Sequence, residues 1–178
     1  MRKLITALAV AIGTASAVAG YEHARSDSAG WREIAWPFPR DGWPAGRVYH
    51  CTVESCGDDI DVYLRPKIGF CNCDSGVADD DEVDRVADLD LISERFVALE
   101  PGQAVHVAGM SGRIRNYSLQ MQDGSRHTAA GLAVSRRCDL LVAVAQGKGE
   151  GSALQRAALG FLSSGDVAHW MTAALDGR

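Results

Sequence analysis

Five cysteines, Cys51, Cys56, Cys71, Cys73 and Cys138, carry the sulfur chemistry open to this chain. The first four form a C-x4-C and a C-x-C pair, and the second pair leads into the acidic stretch DDDEVDRVADLDL. Four thiolates can wrap a zinc ion, and two on one side of an extended segment, here Cys71 and Cys73, can grip copper(I) as a pincer. Zinc sites favour two to four residues between paired ligands, and the single residue between Cys71 and Cys73 falls short of that. The copper reading has no Met-rich or His-rich stretch beside it. Asp74 and residues 79–81 are hard ligands suited to calcium, but they miss the calcium-loop spacing with its central glycine.

A thiol oxidoreductase normally separates its cysteines by two residues at a helix start. Here the separation is one, and the carboxylates beside Cys73 disfavour a thiolate. Structural disulfides fit the five candidates best. Cys51 closes a strand and Cys56 lies in the turn after it, within bridging range if the turn folds back. If the next strand runs straight past Pro66, Cys138 pairs with Cys71 or Cys73; if Pro66 bends it, Cys56 can take Cys71 or Cys73 instead. Five is odd, so one thiol is left free, bound to something or paired with another chain.

No other catalytic machinery is legible. His23, His50, His106, His127 and His169 show no metal-ligand spacing, and no G-x-S-x-G, P-loop or dinucleotide fingerprint occurs. His50 adjoins Cys51, but neighbours on a strand point to opposite faces. No catalytic residue and no cofactor is expected, and the chain reads as non-enzymatic.

The compartment follows from the first residues. Arg2 and Lys3 precede an apolar run over residues 4–12, and small residues follow, ending in Ala-Ser-Ala or Ala-Val-Ala by residue 19. This is the layout of a secretory signal peptide over residues 1–19. The competing reading is a retained anchor, against which stand Gly13, Thr14 and Ser16. Cleavage leaves no membrane span and puts the cysteines in a periplasmic or secreted setting where disulfides persist. It also takes the net charge from −5 to −7, which repels phosphate backbones and excludes nucleic acid as a partner. What remains is a protein or small-molecule partner in the envelope.

The elements that must position the cysteines follow from pattern. Residues 20–30 read as a flexible lead-in to a single domain over residues 31–178. In WREIAWPFPRDGWPAG, Trp31, Trp36 and Trp43 alternate with prolines, reading as an aromatic strap across the core or an exposed binding lip. Residues 47–53 and 59–65 alternate apolar and polar, which predicts a β-hairpin with Val53 opposite Ile60, Cys51 opposite Val62 and Tyr49 opposite Leu64 on one buried face. Residues 79–82 open a short acidic helix. Strands follow over residues 104–109, 117–121, 127–135 and 138–146, the last with a continuous apolar run expected of a central strand. Ser152 with Gln155 reads as a capping box for a first C-terminal helix; Gly165 stops it and Asp166 caps a second.

At WPFPRDGW, GFCNC and DDDEVDRVADLDL the chain resembles a family of small exported bacterial proteins with no assigned activity. Its order of aromatic strap, antiparallel sheet and closing helices is similar in layout to the Mog1/PsbP sandwich. The elements read along the chain add up to an α+β fold, an antiparallel β-sheet with two C-terminal helices and one short acidic helix packed on it, and the likeness concerns that layout only. It transfers no site residue. The function expected is that of an exported, disulfide-stabilised accessory or binding protein of the bacterial cell envelope; the alternatives are copper or zinc handling at Cys71 and Cys73, or thiol oxidoreduction.

Overall fold

The computed structural model describes residues 30–39, 41–69 and 72–177. The expected signal peptide, and the lead-in up to residue 29, lie outside the described residues, as do Arg40, Phe70, Cys71 and Arg178.

Among the described residues eight strands form one antiparallel sheet. They are β1 (Trp31–Ile34), β2 (Arg47–Cys51), β3 (Ile60–Lys67), β4 (Phe96–Ala98), β5 (Gln103–Val107), β6 (Met110–Gln120), β7 (Arg126–Arg136) and β8 (Asp139–Gly147). Their order across the sheet is β1-β2-β3-β8-β7-β6-β4, with β5 beside the other half of β6. The chain is an α+β protein.

β8 lies between β3 and β7, and its residues Leu140, Leu141, Val142, Ala143, Val144 and Ala145 are all buried. An unbroken apolar run is what a strand covered on both faces requires. On one face, α4 (Gly151–Leu162) and α5 (Gly165–Leu175) bury Leu154, Phe161, Leu162, Val167 and Met171 against Tyr49, Val62, Leu132 and Ala143. On the other, α2 (Asp80–Val86) and α3 (Leu89–Ile92) bury Val83, Val86 and Leu89 against Tyr117, Leu119, Val142 and Val144.

The predicted hairpin forms two residues out of the expected register. Cys51 pairs with Ile60, Tyr49 with Val62 and Arg47 with Leu64. Val53 leaves the strand to begin a one-turn helix, α1 (Val53–Cys56), and is 54% exposed. Because side chains alternate with period two, a shift of two preserves the face, so Cys51, Tyr49, Ile60, Val62 and Leu64 still point into one core. β3 continues straight through Pro66. Its pairing with β2 ends at Leu64, so Pro66 has a partner strand on one side only, where a residue lacking an amide hydrogen is tolerated.

β6 is longer than its expected segment, starting at Met110. Met110 and Ile114 face the α4/α5 core, whereas Tyr117 and Leu119 face the α2/α3 core. The apolar residues change face midway, which breaks the alternation a single-face reading depends on. The β5–β6 turn is two residues, Ala108 (φ +52°) and Gly109 (φ +75°). Both lie in the left-handed region that tight hairpins require.

The C-terminal helices start and stop differently from expectation. Glu150, not Ser152, is the N-cap of α4, and no side chain caps it. Asp58 accepts from the Gly149 amide at 2.7 Å, so the chain's entry into α4 is held from the loop before β3. α4 ends at Leu162; Gly165 is the first residue of α5, whose N-cap is Ser164, and Asp166 lies in its first turn.

Candidate functional site

The acidic segment is spent on the fold. Asp79 caps α2, accepting from the Glu82 amide at 3.0 Å. Beyond it the carboxylates reach the sheet. Asp80 accepts from Arg113 Nη2 at 2.6 Å and from the Gly102 amide at 2.8 Å; the Gly102 amide first, and Arg113 next, hold its carboxyl below the usual range. Asp84 takes Arg115 at 2.7 Å and the Tyr117 hydroxyl at 2.6 Å. Burial, reinforced by that carboxylate, raises the Tyr117 phenol. Residues i and i+4 share a helix face and residues i and i+2 share a strand face. The pairs Asp80/Asp84 and Arg113/Arg115 are therefore matched rows, a spacing visible in the sequence once helix and strand are known to pack.

The densest charge cluster lies on the same face, over β3. Arg65 and Lys67 are only 3% and 7% exposed. Asp88, between α2 and α3, accepts from Arg65 Nε and Nη2, both at 2.7 Å, and lies 2.7 Å from Lys67 Nζ. Lys67 also donates to the Val86 carbonyl at 2.8 Å. Asp41, from the strap, takes Arg65 Nη1 at 2.6 Å, and that bond holds its carboxyl below the usual range. Burial opposes the Arg65 charge, but its bonds to Asp88 and Asp41 outweigh it and raise the Arg65 pKa.

The three tryptophans do not share one place. Trp31 belongs to β1 and stacks on Phe161 at 4.3 Å between ring centroids, on the α4/α5 side. Trp36 and Trp43 are half-buried on the opposite face, 5.7 Å from the Arg65 guanidinium and 5.8 Å from Lys67 Nζ. The strap thus covers buried cations with aromatic rings, an arrangement favoured by the ring quadrupole.

Beside the strap runs a polar row. His50, Asp61 and Gln146 are register partners across β2, β3 and β8. His50 Nδ1 lies 2.9 Å from Asp61, and Nε2 lies 3.3 Å from Asp59. Gln146 donates to the Tyr63 hydroxyl at 3.1 Å and to Asp61 at 3.4 Å. Burial, with Asp61 nearby, raises the Tyr63 phenol. Both His50 nitrogens lie near carboxylates, and Cys51 points to the other face, into the α4/α5 core. The row was missed in sequence because it depends on the order β2-β3-β8.

The cysteines form two bridges, Cys51 with Cys56 and Cys73 with Cys138. Cys51 is wholly buried, whereas Cys73 is exposed and Cys138 half-buried. The fifth cysteine, Cys71, lies outside the described residues. Cys73 bonded to Cys138 has no thiolate to offer a metal, so a Cys71/Cys73 pincer requires that bond to be reduced. Among the described residues no group of three or more His, Cys, Asp or Glu is placed to hold a metal ion.

Two open clefts flank the β6–β7 turn. One of about 390 Å³ is lined by Ile92, Met121, Gln122, Asp123, Ser125 and His127; the other, about 250 Å³, includes Arg95, Glu94 and Gln120. The first is within the size range of small-molecule sites and the second below it, and no sequence motif pointed there. No helix among the described residues is long and apolar enough to cross a membrane.

No family model matches the chain, and no curated protein matches it. Among solved structures, cyanobacterial PsbP (CyanoP) from Synechocystis sp. PCC 6803 aligns at TM-score 0.48 and 13% identity, over 76% of this chain and 79% of its own. A protein of unknown function, PA94 from Pseudomonas aeruginosa, aligns at TM-score 0.35 and 14% identity, over 72% and 75%. The first belongs to the group whose layout the sequence resembles. Both scores lie below 0.5, too low to carry a function across.

Proposed function

We propose that this is an exported, disulfide-stabilised accessory or binding protein of the bacterial cell envelope, non-enzymatic, with a signal peptide over residues 1–19 and a single domain over residues 31–178. The observation that carries the reading is the pairing of four cysteines in two bridges, since such bonds form and persist in oxidising compartments and are rare in the cytosol. The basic, apolar and small-residue order of the first nineteen positions supports it.

Intact-mass measurement on protein isolated from the envelope tests the reading. The expected species lacks residues 1–19 and takes up one alkyl group before reduction and five after it. Full-length protein carrying five reduced thiols in the cytoplasm would reject it.

A further inference from the structure

The two bridges differ in exposure at one partner each: Cys56 and Cys138 are both half-buried, but Cys51 is buried and Cys73 is exposed. Cys51–Cys56 is rooted in the α4/α5 core by a side chain with no exposure. Cys73 sits in an exposed loop over residues 72–75, turned by Asn72, whose side chain accepts from the Asp74 amide at 2.9 Å and whose carbonyl accepts from the Gly76 amide at 2.8 Å. Its partner Cys138 follows Arg137, which takes φ +57° in the two-residue β7–β8 turn. An attacking thiolate must reach a sulfur along the bond axis, so access decides which bridge opens first.

We propose that Cys73–Cys138 is a thiol–disulfide exchange site for an external dithiol reductant, while Cys51–Cys56 is a permanent brace. A thiolate of the reductant bonds to the exposed Cys73 sulfur, and the electron pair of the old bond leaves on Cys138, which takes a proton from water. The second thiol of the reductant then closes its own disulfide and releases Cys73 as a thiol. Two electrons pass from the dithiol to the bridge, and its two thiol protons are balanced by those gained on Cys73 and Cys138.

The consequence is local. With the bond open, residues 72–79 keep the burial of Val77 as a tether, and the Gly69 amide stays on Asp139 at 2.6 Å. α2 stays anchored separately through Asp80 to Arg113 and Asp84 to Arg115. The loop is therefore freed without unfolding the sheet, in the manner of a low-stability segment that opens by itself. The inference rests on the pairing and exposure of these cysteines, not on export, so it stands or falls independently of the proposed compartment.

The native, oxidised protein is incubated with graded dithiothreitol, trapped with N-ethylmaleimide and mapped by peptide mass. Cys73 and Cys138 should label at dithiol concentrations at least roughly tenfold below those that label Cys51 and Cys56. Near-ultraviolet circular dichroism should hold while proteolysis rises within residues 72–79. The same order in a Cys71→Ser variant assigns the attack to the external dithiol. Simultaneous labelling of all four cysteines, earlier labelling of Cys51 and Cys56, or loss of the order in Cys71→Ser would each overturn the proposal.

Discussion

Asp88 grips Arg65 in a bidentate pair, with Nε on Oδ2 and Nη2 on Oδ1, each at 2.7 Å and both side chains almost wholly out of solvent. The two residues lie 23 positions apart, and the bond ties the α2–α3 junction to β3.

Removing either partner unbalances a buried cluster in which Lys67 on Asp88 and Asp41 on Arg65 compensate only part of the charge. Arg65→Met or Asp88→Leu alone should cost about 3–5 kcal/mol of unfolding free energy. The double change Arg65→Met with Asp88→Leu should cost less than the sum of the single ones, because no buried charge of that pair is then stranded. Urea unfolding of the four proteins measures the coupling.

Acid sensitivity follows from Asp80. Its carboxyl is held below the usual range in the folded protein. The stability it contributes is present above the ordinary carboxylate value of about 4 and is lost as pH falls through the lower folded value. Wild-type stability should therefore drop below about pH 4, and Asp80→Asn should flatten part of that drop while lowering stability at neutral pH. Thermal melts across the acid range decide it; an unchanged pH profile in Asp80→Asn would contradict the assignment.

The two bridges should differ in what they stabilise. Loop-closure entropy scales with the chain enclosed, 65 residues for Cys73–Cys138 and 5 for Cys51–Cys56. That model gives about 4 kcal/mol for the first and about 2 kcal/mol for the second. Denaturant unfolding of Cys73→Ala/Cys138→Ala and of Cys51→Ala/Cys56→Ala measures both losses, and the first should be the larger.

Gly46 is where the strap meets the sheet. A Cβ there would run into the Leu64 carbonyl oxygen and the Trp36 ring, so Gly46→Ala should cost about 1–3 kcal/mol. Trp36 should move off Arg65, and a changed tryptophan emission spectrum would report it.

Short-range pattern accounts for much of this architecture. The unbroken run before Gln146 reads as a doubly covered strand because apolar side chains appear at every position, and the core faces of α4 and α5 follow from helical spacing alone. Asp79 reads as part of a helix start because capping is satisfied within three residues.

What the chain could not announce locally depends on which strands lie side by side. Placing β8 between β3 and β7 puts Gln146 beside Asp61 and, through it, His50, across 85 residues of sequence. Packing α2 on β6 decides that Asp80 and Asp84 meet Arg113 and Arg115 instead of water. The straight run of β3 and the position of the β7–β8 turn decide that Cys138 bonds Cys73. Pattern determines which surface each element must bury, since that cost is paid residue by residue. Long-range partners depend on the assembled packing of whole elements, and only the tertiary structure contains it.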